Sequence, residues 1–197
     1  NRLRIIDCTA IEAKVDTARL KQKQQDGDDH EYIDRNTPDP EASIGHKSKN
    51  KSWYGYKSGI LMDAQSEIVT AIQTTTASPH DVNHLEDLVQ KDIQATGGFR
   101  RLTGDKGFVG KTEFLQEQKI IDNIIRKDNM EKPKRKSYQA DKKQRSIIEH
   151  KFGEGKNYHQ LGRARYWGRL KVHIQSLLIY LTMNLKKLAN FLLPAPS

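Results

Sequence analysis

The chain has one cysteine among its 197 residues, Cys8. A single thiol excludes an intrachain disulfide framework and a cysteine-built metal site, and it fits a reducing compartment. Long uninterrupted apolar runs are also missing. The longest apolar stretch, Ile174 to Leu193, is broken by Asn184, Lys186 and Lys187. It reads as an amphipathic helix rather than a membrane span, so no membrane association is expected. There is no recognisable signal peptide, and the expected location is cytoplasmic. Internal repeats are absent. The first residue is Asn1 rather than Met, and an apolar run follows almost at once. The expectation is a piece of a longer protein whose N-terminal part is missing.

What is present is charge, unevenly placed. The formal net charge is +9. From Lys132 to Lys171 there are thirteen Lys/Arg against three Asp/Glu, a local balance of +10, which leaves the remainder near neutral. A concentrated basic stripe points to a polyanion, and nucleic acid is the default partner. The composition is polar, yet apolar runs occur, so the chain is not a disordered one. Its length suits one domain with a real core.

Leu3 to Thr9, LRIIDCT, reads as a short buried strand with Asp7 at its end. Open α/β sheets place their chemistry at strand ends, although an isolated Asp there is also an ordinary turn residue. From Glu12 to Ser52 the chain is polar and aperiodic, with turn signals at Pro38 and Pro40. Residues 10–52 are therefore read as a long polar insertion or loop, disordered or functional. Its end, Gly45 to Lys51, is basic and glycine-led, as a phosphate-contacting loop would be. Trp53 to Met62 and Ile68 to Thr75 alternate and read as an antiparallel hairpin. Trp53, Tyr54 and Tyr56 read as sheet-packing residues, with base stacking as the less favoured alternative.

Ser78-Pro79-His80-Asp81 starts a helix whose face is His84, Leu85, Leu88, Val89 and Ile93. His80 and His84 are four apart but lack a matching third ligand, and are read as structural. Arg100 to Thr103 is a short strand, and GDKGF (Gly104 to Phe108) follows it. Asp105 sits there between glycines that permit a tight turn and a close backbone approach. A short helix near Lys111 to Gln118, a strand from Lys119 to Ile125 and a basic linker from Asp128 to Gln144 come next. Arg165 to Leu193 reads as a long closing helix with Leu170, Ile174, Leu177, Leu178, Leu181 and Leu185 on its apolar side.

The organising stretch is RSIIEHKFGEGK, Arg145 to Lys156. At 100° per residue, Arg145, Glu149 and Lys156 project within an arc of roughly 40°. Ile148 and Phe152 lie beside them and can pin the helix to a core. One face thus offers a carboxylate flanked by two cations, able to hold a metal and phosphates. Alone, the pattern is also that of a surface helix with an i,i+4 Arg–Glu pair. Glu154 is the competing carboxylate. It points about 140° away from Glu149 and lies between Gly153 and Gly155, where fraying is expected.

The order of strand, hairpin, helix, strand, helix, strand and helices resembles a ribonuclease-H-like α/β fold, a mixed five-stranded sheet flanked by helices. In that fold the first and fourth strands are neighbours, so Asp7 and Asp105 would meet and the later helix would bring Glu149 to them. Three carboxylates of this kind can hold two Mg²⁺ or Mn²⁺ ions.

IIDCT, GYK at Gly55 to Lys57, GDKGF and the Arg145-x₃-Glu149-x₆-Lys156 pattern together resemble the DDE transposases of bacterial insertion sequences, nearest the IS4, IS5 and IS1182 groups. The resemblance runs from Leu3 to about Leu192. It implies Asp7, Asp105 and Glu149 as catalytic and metal-binding residues. It further implies Arg145 and Lys156 as the signature basic residues, with double-stranded DNA as partner and a homodimer when assembled on it. The basic stripe adds Lys142 and Lys143 as expected DNA contacts, and Lys57 and Lys106 of the GYK and GDKGF motifs are counted with them. The IS4-type signature has a Tyr three residues before the Arg. Here that residue is Lys142, and the nearest Tyr is Tyr138, which favours the IS5 or IS1182 side. Only 43 residues separate Asp105 from Glu149, too few for a large inserted β-domain. The implied activity is metal-dependent phosphodiester hydrolysis and strand transfer. The rivals are a nuclease of the same fold that does not join strands, and a DNA-binding remnant without catalysis.

Overall fold

The structure is a computed structural model, and it describes residues 2–16, 37–48 and 51–193. Among the described residues, six strands form one mixed sheet: β1 (Leu3–Glu12), β2 (Ser43–Ser48), β3 (Lys51–Asp63), β4 (Val69–Thr76), β5 (Arg101–Gly104) and β6 (Ile121–Asp122). Along the sheet the order is β2-β3-β1-β5-β6, with β4 also paired to β3. β1 runs antiparallel to β3 and parallel to β5. The helices are α1 (Leu85–Thr96), α2 (Thr112–Glu117), α3 (Lys136–Gln144), α4 (Ile147–His159) and α5 (Arg169–Leu192). This is the α/β, ribonuclease-H-like arrangement expected, with β2 as a sixth strand.

β1 reads as a continuous apolar run because the sheet is covered on both faces. Ile5 and Ile6 point to opposite sides, as successive strand residues must. Ile5 joins a core with Tyr56, Ile60, Ile148, Phe152 and Tyr180, under α4 and α5. Ile6 joins another with Leu61, Leu85, Leu88, Leu102 and Phe108, under α1. At about 25 cal/mol per Å² of apolar surface removed from water, these two cores are the main force fixing the layers. Arg4 is buried at the start of β1, where it pairs with Asp92 of α1 at 2.7 Å and with Asp63.

Several boundaries differ from the sequence reading. β1 continues to Glu12 rather than ending at Thr9. The stretch read as aperiodic contains β2, whose pairing to β3 sets its place. Its phosphate-loop candidate is therefore largely strand, and residues 17–36 and 49–50 lie outside the described residues. Asp81 to His84 is a 3₁₀ turn before α1. The basic linker contains α3, held by Asp141 to Arg101 at 3.1 Å and to Asn123 at 2.6 Å. The second half of α4 does not fray, since the helix persists to His159. A Cβ on Gly155 would come within 2.8 Å of Leu161, so glycine is what lets the helix sit close there.

The closing helix α5 begins at Arg169 and packs through Val172, Gln175, Ser176, Tyr180 and Met183. The leucines read as its apolar side face outward instead. Among the described residues no helix is long and apolar enough to cross a membrane.

Candidate active site

The end of β5 and the middle of β1 build the site. Asp7 lies within β1, opposite Ile60 of β3, rather than at its end as the sequence suggested. The parallel ladder pairs Leu3 with Arg101 and ends with Ile6 opposite Gly104. Asp7 and Asp105 are the next residues on each side. The approach is close: a Cβ on Gly104 would lie 2.5 Å from Ile6 Cγ2 and 3.0 Å from the Ile6 carbonyl oxygen. The glycine before Asp105 is thus a packing requirement that brings the end of β5, with Asp105 just beyond it, close against β1 next to Asp7.

α4 supplies the third acid. Ile148 and Phe152 seat it in the core, and Glu149 lines the same cleft as Asp7 and Asp105. Asp7, Asp105, Glu149, Arg145, Lys156 and Lys57 all line one cleft of about 630 Å³. Arg145 lies at the joint between α3 and α4. Its guanidinium donates to Glu149 Oε1 at 2.5 Å and stands 3.8 Å from Asp7 Oδ2. Asp7 Oδ1 accepts the Cys8 amide at 2.8 Å, and Asp105 Oδ1 accepts the Lys106 amide at 2.7 Å.

The electrostatics are unbalanced. Burial pushes the Asp7 carboxyl up to about 6, against the Cys8 amide and Arg145, which lower it; the negative charges of Asp81 and Asp105 add to the rise. Burial likewise pushes the Cys8 thiol up, so this cysteine is not an activated nucleophile. A desolvated carboxylate beside further acids is a position that a cation would stabilise. The donors are all hard carboxylate oxygens, which suits Mg²⁺ or Mn²⁺. Among the described residues no three acid, histidine or cysteine side chains converge as a ready-made metal shell. The guanidinium of Arg145, between Asp7 and Glu149, is the cation that faces those two acids. By donor chemistry, then, the residues fit a divalent metal.

The structure also places residues that the sequence reading did not single out. Asp81 lines the cleft and pairs with Lys57 at 2.8 Å, while Lys57 also donates to the Pro79 carbonyl at 2.7 Å. Its signal was present: an acid in the first turn after a strand, in the same chain as an otherwise unexplained strand lysine. His46, Lys47 and Trp53 line the cleft too. Trp53 is oriented by a hydrogen bond to the Tyr56 carbonyl and by Lys57, 5.9 Å from its ring centre. Tyr54 and Tyr56 are core.

Other expected residues lie elsewhere. Lys106, Lys142 and Lys143 are exposed outside the cleft lining. Tyr138 is buried and accepts the Arg126 amide at 3.0 Å. His84 is buried against Thr75, and burial holds it neutral, pulled down to about 4. Glu154 is not in the cleft and pairs with Lys151 at 3.4 Å and Lys186 at 3.8 Å.

With this geometry in place, comparison with known proteins is decisive. The profile of the transposase DDE domain matches residues 2–185. The chain belongs to the DDE transposase-domain family. It is similar to the transposase of insertion sequence element IS1106 from Neisseria meningitidis serogroup B, at 30% identity over 94% of this chain. The chain spans 65% of that relative's length.

Proposed function

We propose that this chain is the catalytic domain of a DNA transposase, which hydrolyses phosphodiesters at the ends of its element and joins the freed 3′ hydroxyl to target DNA. The observation that carries the reading is that Asp7 of β1, Asp105 just after β5 and Glu149 of a later helix line one cleft together with basic side chains. Two Mg²⁺ or Mn²⁺ ions held by these carboxylates would supply activation of the attacking oxygen and charge stabilisation at the leaving oxygen.

The chain's own residues do the rest. Asp7 and Asp105 are rigid acids, because each is fixed by the next amide and by the β1–β5 ladder. Arg145 orients Glu149 and can hand its charge to a phosphate when a metal takes the carboxylates. Lys156, one helix face further along, is positioned for a phosphate of the same strand. Lys57 and Asp81 brace the opposite wall. Lys142, Lys143 and Lys106 extend the positive field along the DNA backbone, where contacts set affinity without reading sequence. Element ends are processed as pairs, so the protein works as a homodimer on double-stranded DNA, at the nucleoid in the bacterial cytoplasm.

The test is nicking of supercoiled plasmid in Mg²⁺ or Mn²⁺, followed by joining of a pre-cut element end to target. Metal-dependent nicking that Asp7→Asn abolishes, together with joining, supports the proposal. Nicking without joining favours the nuclease reading. DNA binding with no nicking in either metal favours the non-catalytic remnant. Nicking that survives Asp7→Asn removes the cleft from the mechanism altogether.

A further inference from the structure

α5 is apolar on two sides. One side packs on the sheet through Val172, Ser176, Tyr180 and Met183. The other carries a central row of Leu170, Ile174, Leu177, Leu181, Leu185, Leu188 and Leu192, exposed by 40% to 79%, with the exposed Leu178 and Phe191 at its flanks. At 100° per residue the exposed set forms a stripe roughly opposite the packed face. Asn184, near the stripe's edge, is committed to its own sheet, bonding the Val69 amide and carbonyl at 2.9 and 2.8 Å. A helix apolar on two opposite sides normally has both covered. The exposed stripe is on the order of 800 Å², about one partner's share of a stable interface and well above ordinary monomer patches.

The spacing of the stripe identifies its occupant. It is symmetric about Leu181. Two copies of α5 laid antiparallel across a twofold axis put Leu181 against its own copy. The same register puts Leu177 opposite Leu185, Ile174 opposite Leu188, and Leu170 opposite Leu192. A twofold interface has to be self-complementary in this sense.

Charge selects the direction. α5 has Arg169 and Lys171 at its start, Lys186 and Lys187 nearer its end, and no acid. Lys186 and Lys187 are engaged by Glu154 and Glu67 of the same chain. A parallel pair would stack each cation on its own copy. The antiparallel pair instead sets Arg169 and Lys171 beside the other helix's C-terminal carbonyls, the negative end of its dipole. We infer that α5 is a homodimer interface, antiparallel and centred on Leu181, which forms without DNA or metal. It goes beyond the chemistry of the cleft and stands independently of it.

The test uses the 197-residue chain alone, at tens of micromolar, by light scattering and by oxidative cross-linking. The wild type is expected to be a dimer. Leu181→Arg should halve the mass while leaving circular dichroism in place, since Leu181 lies outside the core, and should lower the melting temperature only by the concentration-dependent share that dimerisation supplies. Leu181→Cys should give a covalent dimer under mild oxidation. Leu170→Cys should not, because its two copies would lie about 33 Å apart, far beyond disulfide reach. Leu170→Cys combined with Leu192→Cys should restore the covalent dimer. A monomeric wild type would overturn the inference and assign the stripe to another partner or segment. Efficient cross-linking of Leu170→Cys alone would overturn it in favour of parallel pairing. Neither outcome bears on nicking, so a failed nicking assay and a failed dimer are separate results.

Discussion

Asp7 and Asp105 hold their carboxylates in the same way: each accepts a hydrogen bond from the amide of the residue that follows it, at 2.8 and 2.7 Å. Each also stands one residue beyond the last paired position of a shared parallel ladder, Ile6 opposite Gly104. Two acids far apart in sequence thus receive one local geometry. The backbone fixes both, which would limit the reorganisation that the proposed cation binding requires.

Asp7 sets a pH dependence. Its carboxyl is pushed up to about 6, from 3.8, by burial. The folded state therefore binds this proton more tightly than the unfolded state, and stability falls as pH rises from about 4 through 6. Asp7→Asn should stabilise the metal-free protein at pH 7.5, by at most about 3 kcal/mol, and give no gain at pH 4. Adding Mg²⁺ at pH 7.5 should stabilise the wild type and not the variant. Thermal melts at the two pH values, with and without Mg²⁺, check both statements.

Glu149 and Glu154 should separate cleanly in a cleavage assay. Glu149→Gln keeps the shape and removes a cleft carboxylate, and should lower metal-dependent cleavage by about a hundredfold or more. Glu154→Gln disturbs the pairs to the buried Lys151 and to Lys186, both away from the cleft, and should leave cleavage little changed even where it costs some stability. A dead Glu154→Gln beside an active Glu149→Gln would reassign the third acid.

The exposed Lys142 and Lys143 should act through salt. Replacing both by Ala should weaken binding to all duplex sequences alike. It should also lower the slope of log affinity against log salt by about 0.9 for each phosphate that is no longer neutralised. A slope equal to the wild type's would mean that these lysines face only solvent.

The two glycines of α4 should behave oppositely. Nothing lies within 4 Å of a Cβ on Gly153, so Gly153→Ala should stabilise by up to about 1 kcal/mol through helix propensity. Gly155→Ala drives a methyl against Leu161 and should cost about 1–3 kcal/mol. Denaturant unfolding of the two variants measures the contrast.

Much of the site was legible in the sequence because its elements are central. β1 is covered on both faces, so its apolar run is continuous and Asp7 interrupts it visibly. GDKGF stands out because Gly104 is needed for the approach to Ile6. What was hidden was held by polar contacts. β2 is an edge strand, SIGHKS, placed by pairing to β3 rather than by an apolar pattern. α3 buries only Tyr138 and Asp141, and Asp141 works through Arg101 and Asn123. Hydrophobic periodicity does not register such a helix. Asp81 resembles an ordinary helix-start acid until its partner Lys57 is seen beside it on the same wall of the cleft. α5 offered two apolar faces, and periodicity alone picked the leucine stripe over the face that carries Tyr180.

The middle position of β1 has a consequence for synthesis. β1 precedes both of its neighbours in the chain, yet it is flanked by β3 and β5. One of its edges is covered as soon as Asp63 has been made; the other waits for Arg101 to Gly104. Between those moments a nascent chain carries a hydrophobic strand with one open edge, the surface on which unfinished sheets pair with one another. A ribosome paused within α1 would leave the chain in this exposed condition. The interval that assembles the acids is therefore also the one in which a growing polypeptide most needs a holding chaperone.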